Sequence, residues 1–401
     1  MVPLDLLREL ATATPTKIVL LVMDGLGGLP NPETGRTELE AASCPNLDRL
    51  AAESICGMSV PVGQGITPGS GPAHLGLFGY DPIANNVGRG VLSALGVNFP
   101  LERTDVAARI NFATVDENGN VTDRRAGRIS TETNRALVAE LCKVQVPGAE
   151  VFLETEAGHR AVVIFRAPDL SDRLGDTDPQ ALGVPALPVR ALEPEAEATA
   201  GIVADFIARA DAVLKDKHPA NAILLRGFAK HPDMPTLGEL YKLTPAAIAA
   251  YPMYRGLGRL VGMDVLDAGS TFADEIATLK ASWANHDFFF VHFKPTDTNG
   301  EDGNFQGKSA AVQDVDRLLP EIRGLKPDVL AVTGDHSTPA LLKMHSWHPV
   351  PFMLNSPYCR PDGVDRFSER ACTHGALGQF PAREAMALLL ANALKLQKFG
   401  A

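Results

Sequence analysis

The chain contains 401 residues, of which 45% are hydrophobic and 21% are charged, as in an ordinary soluble globular protein. This length predicts two or three domains with sizeable cores. The formal net charge of −11 argues against a nucleic-acid partner, because binding to a phosphate backbone requires a stripe of Lys and Arg. An anionic substrate would therefore be held by locally gathered arginines or by metal ions.

Cysteine usage and the N-terminal sequence indicate the cellular compartment. The five cysteines are scattered and form no C-x-x-C pair, which predicts reduced thiols in the cytoplasm. The first residues form a short amphipathic segment without the long apolar region of a signal peptide. No apolar run approaches the ~18 residues of a membrane span, so we expect no membrane association.

In chain order, the first informative segment is Ile18–Met23, a continuous apolar run typical of a central parallel strand. It ends at Asp24, and the glycines that follow form a flexible turn. The Asp24 carboxylate would then lie open at the end of the strand, where it could bind a cation. An ordinary Asp-Gly turn is the alternative interpretation.

The segment Gly65–Tyr80, GITPGSGPAHLGLFGY, predicts a tight loop followed by a helix that begins near Ser70. The N-terminus of a helix favours negative charge, so this position suits a serine alkoxide or a phosphoserine. A serine hydroxyl is a weak nucleophile unless a base or a metal activates it. The structural alternative is an N-cap serine. His74, four residues later, could assist Ser70 or simply pack on the helix.

The pattern changes between about residue 100 and residue 261, where short alternating strands and hairpins are typical of an α+β unit. On both sides of this segment, strands alternate with helices, which predicts a parallel sheet. We therefore expect a discontinuous catalytic domain over residues 1–100 and 262–401, and an insertion domain over residues 101–261. Further predicted strands are Val106–Phe112, Val121–Asp123, Val151–Glu154, Ala161–Phe165, Ala222–Leu225 and Pro351–Leu354. Further predicted helices are Leu4–Ala13, Asn46–Ser54, Glu132–Cys142, Ala198–Lys215, Ala273–Trp283, Val312–Leu319 and Ala382–Leu396.

The predicted insertion contains two groups of arginines. Arg125 and Arg128 lie in the DRRAGR segment that begins at Asp123, and Arg255 and Arg259 lie near the end of the insertion. Arginine is the side chain best suited to a bidentate grip on phosphate or carboxylate. Arginine-rich turns that only face solvent are the alternative interpretation.

A second predicted strand, Asp287–Phe293, is followed by Lys294 and Asp297. Glu301 comes four residues after Asp297, so a helical turn would put both carboxylates on one side. The alternative interpretation is a solvent-exposed acidic loop without a ligand role. This segment nevertheless supplies another candidate ligand at the end of a strand.

The segment Val329–Pro351 carries the densest set of candidate metal ligands. The apolar run Val329–Thr333 predicts a buried strand, Asp335 and His336 follow it, and His345 comes nine residues after His336. Open α/β folds place their chemistry at the carboxyl edge of a parallel sheet. Three strands that each end in a carboxylate therefore predict a metal centre at this edge.

Several motifs together resemble the archaeal-type, 2,3-bisphosphoglycerate-independent phosphoglycerate mutases of the alkaline phosphatase superfamily. The motifs are Asp24 after a strand, TPGSGPAH around Ser70, Asp297 with Glu301 downstream, GDHSTP at 334–339, HSWHPVP at 345–351, and the segments GRGVLSALG, DRRAGR and YRGLGRLVGM. The resemblance implies an α/β fold, in which an alkaline-phosphatase-like parallel-sheet sandwich core is interrupted by a smaller α+β insertion domain. It also implies interconversion of 3-phosphoglycerate and 2-phosphoglycerate, a step of glycolysis and gluconeogenesis, through a phosphoserine at Ser70.

The same resemblance implies two divalent metal ions. One would be held by Asp24, Ser70, Asp335 and His336, and the other by Asp297, His345 and Glu301. The family pattern has a histidine where this chain has Glu301, and the extra carboxylate shifts the preference toward hard ions. Mn²⁺ is the expected ion, with Mg²⁺, Zn²⁺ and Co²⁺ as alternatives. The side chains expected to bind phosphoglycerate are Arg125, Arg128, Arg255, Arg259, Lys294, Asp123 and His74.

Two other functions remain open from the sequence. A metal-dependent phosphohydrolase, or another phosphotransferase of the same superfamily, would use the same serine with a different acceptor, and fold alone does not separate these activities. A catalytically silent relative would have lost its second metal through Glu301. The sequence also leaves open whether the protein forms an oligomer.

Overall fold

The computed structural model describes residues 2–85 and 87–400. Its strands are β1 (Ile18–Met23), β2 (Ile55–Val60), β3 (Val106–Val115), β4 (Val121–Asp123), β5 (Glu150–Ala157), β6 (Arg160–Arg166), β7 (Ala222–Ala229), β8 (Pro245–Ala249), β9 (Asp264–Leu266), β10 (Phe288–Phe293), β11 (Val329–Thr333), β12 (Val350–Asn355) and β13 (Gly378–Pro381). Its α-helices are α1 (Leu4–Leu10), α2 (Glu38–Ala41), α3 (Pro45–Ala52), α4 (Ser70–Leu77), α5 (Arg89–Gly96), α6 (Thr131–Leu141), α7 (Glu197–Leu214), α8 (Leu237–Tyr241), α9 (Pro252–Leu260), α10 (Phe272–Ser282), α11 (Pro295–Glu301), α12 (Phe305–Gly324), α13 (Glu369–Thr373) and α14 (Ala385–Asn392). Short 3-10 turns cover Ala126–Arg128, Pro194–Ala196 and Ala382–Glu384.

The chain divides into two compact units. Unit 1 comprises Met1–Asn86 and Met234–Ala401, and unit 2 comprises Val87–Asp233. These bounds differ from the predicted boundaries near residues 100 and 261. Residues 234–261 belong to unit 1 because the short strand β8 pairs with β10 in its sheet. Residues 87–100 belong to unit 2, where α5 packs on β3.

Unit 1 is built on an eight-stranded sheet with the order β13-β2-β12-β11-β1-β10-β8-β9. The five neighbouring strands from β11 to β9 are parallel, whereas β12 runs antiparallel to both β11 and β2. The predicted α/β class with a parallel sheet is therefore confirmed, although the sheet is mixed. The antiparallel strand follows from the chain's return after residue 333, which reaches β12 without a crossover helix.

Strand β1 lies at the centre of this sheet, and all six of its residues are buried. Val19, Leu21 and Met23 belong to a core cluster that also contains buried residues of α3, α10 and α12. Both faces of the strand are covered, which accounts for its continuous apolar sequence. Strand β1 and strand β11 have the bounds that the sequence predicts.

Unit 2 contains a five-stranded antiparallel sheet, in which β3 pairs with β6 on one side and with β7 and β4 on the other. Helices α6 and α7 pack on this sheet, and its core cluster contains residues of unit 2 alone. The α+β composition agrees with the alternating pattern of this part of the sequence. The predicted hairpin is formed by β5 and β6.

Helix lengths differ most from the sequence predictions near the C-terminus. Helix α12 spans 20 residues rather than the eight of Val312–Leu319. Asn304 caps a start at Phe305, seven residues earlier, and the helix continues for five more residues, through Pro320 to Gly324. The predicted helix Ala382–Leu396 is shorter, since a 3-10 turn precedes α14 and Leu394 adopts a positive φ of 55° after it. Among residues 2–85 and 87–400, none of the helices has the length and apolar character needed to cross a bilayer.

Candidate active site and metal centre

The register of three neighbouring strands gathers the candidate ligands at one edge of the unit 1 sheet. Met23 of β1 lies opposite Phe293 of β10, and Val22 of β1 lies opposite Thr333 of β11. The residues that follow these strands therefore emerge side by side. The side chains of Asp24, Asp297, Asp335 and His336, which the sequence singles out, are all buried there.

Asp24, Asp335 and His336 form a first ligand group. One potential ligand atom from each residue lies within 4.8 Å of the others. His336 Nε2 is 3.4 Å from Asp24 Oδ1 and 3.1 Å from Asp335 Oδ2. Both of these carboxylate oxygens are buried and accept no hydrogen bond. Buried oxygens without donors are costly, and a divalent cation would satisfy both, so this group fits a metal ion.

A short hydrogen-bond chain sets the tautomer of the neutral His336 ring. Thr338 Oγ1 donates to Asp297 Oδ1 at 2.7 Å and lies 3.0 Å from His336 Nδ1. Because the hydroxyl proton points at Asp297, its oxygen accepts from Nδ1–H. This leaves the lone pair on Nε2, the atom that faces Asp24 and Asp335, as a metal ligand requires.

Ser70 is the first residue of α4, and Gly69 occupies the N-cap position, so Ser70 is not the capping residue. Its Oγ lies 3.1 Å from His336 Nε2, and its side chain is largely buried. The serine hydroxyl therefore lies beside the first ligand group and at the positive end of a helix. This is an arrangement in which an alkoxide would be stabilised.

His74 is also buried, and it contacts groups on both sides. Its Nδ1 donates to the Ser70 carbonyl oxygen at 2.8 Å and lies 3.2 Å from Asp335 Oδ2. Burial would lower the pKa of His74, but Asp335, Asp24 and the Ser70 carbonyl together raise that pKa above its usual value. The sequence predicts a substrate contact for His74, and the structure has this ring against the Ser70 backbone and a metal-ligand carboxylate.

Asp297, His336 and His345 form a second ligand group, again with one potential ligand atom from each within 4.8 Å of the others. His345 Nε2 is 3.5 Å from Asp297 Oδ1, and the ring stacks on His336 with centroids 3.7 Å apart. His345 Nδ1 donates to the carbonyl oxygen of Pro68 at 2.9 Å, which again leaves the lone pair on Nε2. The second group therefore also fits a metal ion.

Glu301 lies at the margin of this second group. Its Oε1 is 3.9 Å from His345 Nε2, and 57% of its side chain is exposed. In the described residues the second group converges without it. The ligand role of Glu301 stays a prediction.

Lys294 bridges the two ligand groups. Its Nζ donates to Asp24 Oδ2 at 3.0 Å, to Asp297 Oδ2 at 2.5 Å and to the Tyr254 hydroxyl at 3.1 Å. Burial would lower the pKa of Lys294, but Asp24 and its neighbours raise it well above the ordinary lysine value. Burial would likewise raise the pKa of Asp24, but the charge of Lys294 and a hydrogen bond from His292 hold that pKa well below its usual range. Both groups are therefore charged at neutral pH.

Sequence reasoning missed two of the residues that contact Asp24. The Tyr254 hydroxyl donates to Asp24 Oδ2, and His292 Nε2 lies 3.1 Å from the same oxygen. The two rings stack with centroids 3.5 Å apart. A usable signal existed for His292, because it is the one polar side chain within the otherwise apolar strand β10. Tyr254 carried no such signal, since it only precedes the arginine that attracted attention.

Arg255 and Arg259 lie on α9 in unit 1, one helical turn apart. Burial and the nearby charge of Arg255 lower the pKa of Arg259. The buried Nε of Arg255 has no hydrogen-bond partner. Two neighbouring guanidinium groups with a buried donor to satisfy form a suitable anion site.

The other predicted arginines lie in unit 2 as part of a larger group, which we call the arginine cluster. Arg125 and Arg128 are exposed, and together with Arg109 and Arg160 they surround His159. Burial and the charges of these four arginines lower the pKa of His159 to about 4. The cluster therefore concentrates positive charge in an otherwise acidic protein.

Two neighbours of the arginine cluster are already engaged in holding its framework. Asp123 accepts hydrogen bonds from the backbone N–H groups of Arg125 at 2.8 Å and Gly127 at 2.6 Å, so its carboxylate fixes the turn. Arg124 makes a bidentate ion pair with buried Asp178, at 2.8 and 2.7 Å. Sequence reasoning missed Arg109, although an arginine inside the apolar strand β3 was a visible signal.

The chain is similar to known proteins over nearly its whole length. A family model described as 2,3-bisphosphoglycerate-independent phosphoglycerate mutase matches residues 51–221. A probable 2,3-bisphosphoglycerate-independent phosphoglycerate mutase of Aquifex aeolicus is 51% identical, over 99% of this chain and 100% of its own length. A relative of the same description from Thermus thermophilus is 53% identical, over 98% of both chains.

Solved structures show the same similarity in three dimensions. A protein from Pyrococcus horikoshii matches with a TM-score of 0.84 and 30% identity, over 97% of this chain and 100% of that chain. The cofactor-independent phosphoglycerate mutase from Thermoplasma acidophilum matches with a TM-score of 0.68 and 30% identity, over 94% of this chain and 99% of that chain. The similarity therefore includes residues of both units.

Proposed function

Because the chain belongs to the 2,3-bisphosphoglycerate-independent phosphoglycerate mutase family, we propose that Ser70 accepts the phosphoryl group while 3-phosphoglycerate and 2-phosphoglycerate interconvert. The observation that carries this proposal is the distance of 3.1 Å between Ser70 Oγ and His336 Nε2 at the N-terminus of a helix. His336 belongs to both ligand groups, so the serine hydroxyl lies beside the residue that the two groups share.

Membership of this family implies divalent metal ions, and the two ligand groups supply side chains of the required chemistry. Asp24, Asp335 and His336, with Ser70, would hold one ion, and Asp297 and His345, with Glu301, would hold the other. Bound ions supply positive charge that lowers the pKa of a serine hydroxyl and neutralises a transferring phosphoryl group. The carboxylate of Glu301 favours Mn²⁺, with Mg²⁺, Zn²⁺ and Co²⁺ as alternatives.

The chemical step exchanges one phosphorus–oxygen bond for another. Ser70 Oγ attacks the phosphorus of 3-phosphoglycerate, the bond to the 3-oxygen breaks, and the proton lost by the serine ends on the 3-hydroxyl of glycerate. The 2-hydroxyl then attacks the phosphoserine, which restores the Ser70 hydroxyl and releases 2-phosphoglycerate. The N-terminus of α4 stabilises negative charge on Oγ in both half-reactions.

Binding of the anionic substrate falls to the arginines. The candidates are Arg125 and Arg128 in the arginine cluster, and Arg255 and Arg259 on α9, because a guanidinium group can make bidentate contacts with phosphate and carboxylate. Glycerate that is held this way stays bound long enough to receive the phosphoryl group, and water is kept from competing as the acceptor. Lys294, which contacts Asp24 and Asp297, adds a positive charge to the site. Asp123 and His74 support these contacts through the turn and the helix that they hold.

Phosphorus NMR tests the proposal directly. Purified protein with Mn²⁺ and 3-phosphoglycerate should produce 2-phosphoglycerate without free phosphate, and Ser70→Ala should abolish the reaction by removing the acceptor oxygen. Ser59→Ala is the matched control, because Ser59 is also buried in unit 1 but lies on β2, three strands away from β1.

The result that would contradict the proposal is equally clear. Release of inorganic phosphate alone would make the enzyme a phosphohydrolase, with water as the acceptor, and would remove the retaining role of the arginines. Full activity of Ser70→Ala would exclude Ser70 as the acceptor. No reaction at all in the wild-type protein would direct attention to Glu301 and to the occupancy of the second ligand group.

A further inference from the structure

One fully buried lysine contacts two of the loops that carry the candidate metal ligands. Lys308 lies on α12, and its side chain has no exposed surface. Its Nζ donates three hydrogen bonds of 2.8 Å each, to the backbone carbonyl oxygens of Gly25, Gly27 and Thr338. All three donor positions of an ammonium group are thereby used, and each acceptor is uncharged backbone.

The three carbonyl groups belong to the segments that carry the ligands. Gly25 directly follows Asp24, and its N–H donates to Asp335 Oδ1 at 3.0 Å. Thr338 hydrogen-bonds Asp297 and orders the His336 ring, as described above. A single ammonium group therefore ties the loop after β1 to the loop after β11. Asp24 lies in the first of these loops and Asp335 and His336 in the second, so the first ligand group depends on their relative placement.

Carboxylates rather than solvent surround the Lys308 ammonium group. Burial lowers the pKa of Lys308, and the charges of Glu38, Glu369, Asp297 and Asp24 act in the opposite direction. Glu369 accepts from Gly28 N–H at 2.9 Å, and Glu38 accepts from Ala340 N–H at 2.7 Å, so these carboxylates hold the far ends of the same two loops. A buried cation among four carboxylates lowers their mutual repulsion.

A second buried lysine shows what a purely structural role looks like in this protein. Lys395 has no exposed side-chain surface, and its Nζ donates to the Thr14 carbonyl at 2.8 Å and to Asp287 Oδ2 at 2.9 Å. Asp287 directly precedes β10, whereas Lys294 directly follows it. Lys395 therefore lies at the opposite edge of the sheet from the ligand groups.

We propose that Lys308 is a positioning residue for the metal centre. Its side chain holds the loops after β1 and β11 at the separation that the two ligand groups require. This inference rests on the proposed metal-ligand roles of those groups. Lys308 does not touch the substrate or the reacting atoms. Its effect passes through the Gly25 and Thr338 carbonyls to Asp24, Asp335, His336 and Asp297.

The test compares Lys308→Met with Lys395→Met, since each removes a buried ammonium group and keeps a similar apolar volume. Mn²⁺ is titrated by calorimetry into metal-stripped full-length protein, and thermal stability is measured on the same samples. Both variants should unfold at a lower temperature than the wild type. Lys308→Met alone should bind Mn²⁺ about 10–100-fold more weakly, as expected when a group that orients metal ligands is lost.

Kinetic measurements add a readout that a general loss of stability would not move. In Lys308→Met, kcat should fall at limiting Mn²⁺ and recover in part at high Mn²⁺, while KM for 3-phosphoglycerate stays unchanged. If Lys308→Met does not fold, Lys308→Arg takes its place, because it keeps the charge but changes the donor geometry. Lys308→Arg should then fold and still bind Mn²⁺ more weakly than the wild type.

The outcomes separate this inference from the proposed function. Unchanged Mn²⁺ affinity in the folded Lys308 variant would overturn the positioning role, even if its stability fell. An equal loss of affinity in Lys395→Met would also overturn it, since the effect would then come from stability alone. Failure of the wild-type protein to bind Mn²⁺ would instead overturn the proposed ligand groups, and with them the basis of this inference.

Discussion

The chemistry of the site depends on which nitrogen of each histidine carries a proton. Thr338 directs the Nδ1 proton of His336, and the Pro68 carbonyl directs that of His345, so both rings present Nε2 lone pairs toward carboxylates. The Pro68 contact also joins the second ligand group to the loop that leads into Ser70. Small neutral contacts of this kind decide whether an imidazole acts as a ligand or as a donor.

His159 allows a prediction about the arginine cluster in solution. Its pKa is about 4 in the free protein, because burial and four guanidinium groups disfavour the imidazolium. A bound dianion would offset that repulsion, so 3-phosphoglycerate should move the pKa of His159 upward, toward the ordinary histidine value of about 6.5. Proton NMR of the imidazole during a pH titration, with and without ligand, measures this shift.

The control for this titration is His348, which lies in unit 1 and outside the arginine cluster. Addition of 3-phosphoglycerate should shift the pKa of His348 less than that of His159. A pKa of His159 that is unaffected by saturating ligand would contradict anion binding at the cluster.

The His159 imidazole also affects the stability of the folded protein. Since the folded pKa is below the unfolded one, the unfolded state binds the proton first, and stability is lost as pH falls from about 6.5 to about 4.

Secondary-structure elements deliver these side chains to one place because parallel strands end at a common edge. Strands β1, β10 and β11 are adjacent and in register, so residues far apart in sequence emerge together. The helix that follows β10 matters as well. In α11, Asp297 and Glu301 are one turn apart, which brings the second carboxylate to the margin of the second ligand group.

Helix α11 leads to a prediction about metal preference. Glu301→His should shift the preference of the second ligand group from Mn²⁺ toward Zn²⁺, because an imidazole replaces a hard carboxylate ligand. Competition of the two ions for metal-stripped protein, measured by calorimetry, gives the ratio of affinities. The matched control is Asp302→His, since Asp302 is the next residue but is not on the same side of the helix. An unchanged ratio in Glu301→His would remove Glu301 from the ligand set.

Among the described residues, each unit has a large hydrophobic core cluster made of its own residues. We expect each unit to have its own unfolding transition, as is common in proteins of more than one domain. The candidate metal ligands belong to unit 1 alone, whereas the arginine cluster belongs to unit 2. A ligand that binds the native form of one unit stabilises that unit in particular.

We therefore expect Mn²⁺ to raise the unfolding temperature of unit 1 more than that of unit 2. At a free concentration of 100 times Kd, binding contributes about 2.7 kcal/mol to the native state. Both tryptophans, Trp283 and Trp347, and all five tyrosines belong to unit 1, so intrinsic fluorescence reports that unit alone. Calorimetry of the same sample reports both.

The experiment has a direct internal check. In the fluorescence melt, the transition should move upward with Mn²⁺, whereas a second calorimetric transition without a fluorescence change should stay in place. One calorimetric transition that coincides with the fluorescence melt at every Mn²⁺ concentration would show that the units unfold together, contrary to this prediction.

Much of the fold could be predicted because its signals are local. The buried strands β1 and β11 are continuous apolar runs, and the residues that flank each run mark its ends. Helix α7 has nearly its predicted bounds. The boundaries of the two units were harder to predict from the sequence. Strand β8 is only five residues long and rich in alanine, so its membership of the unit 1 sheet depends on pairing with β10.

By itself, the sequence determined the order of the candidate ligands, the family that this order resembles and the central strands that carry it, because each of these is written in neighbouring residues. Only the tertiary structure decided which side chains complete the site. Tyr254 meets Asp24 across 230 positions, and Lys308 meets Gly25 across 283. Such contacts arise from the packing of distant segments around one sheet edge, and no local pattern of residue types encodes them.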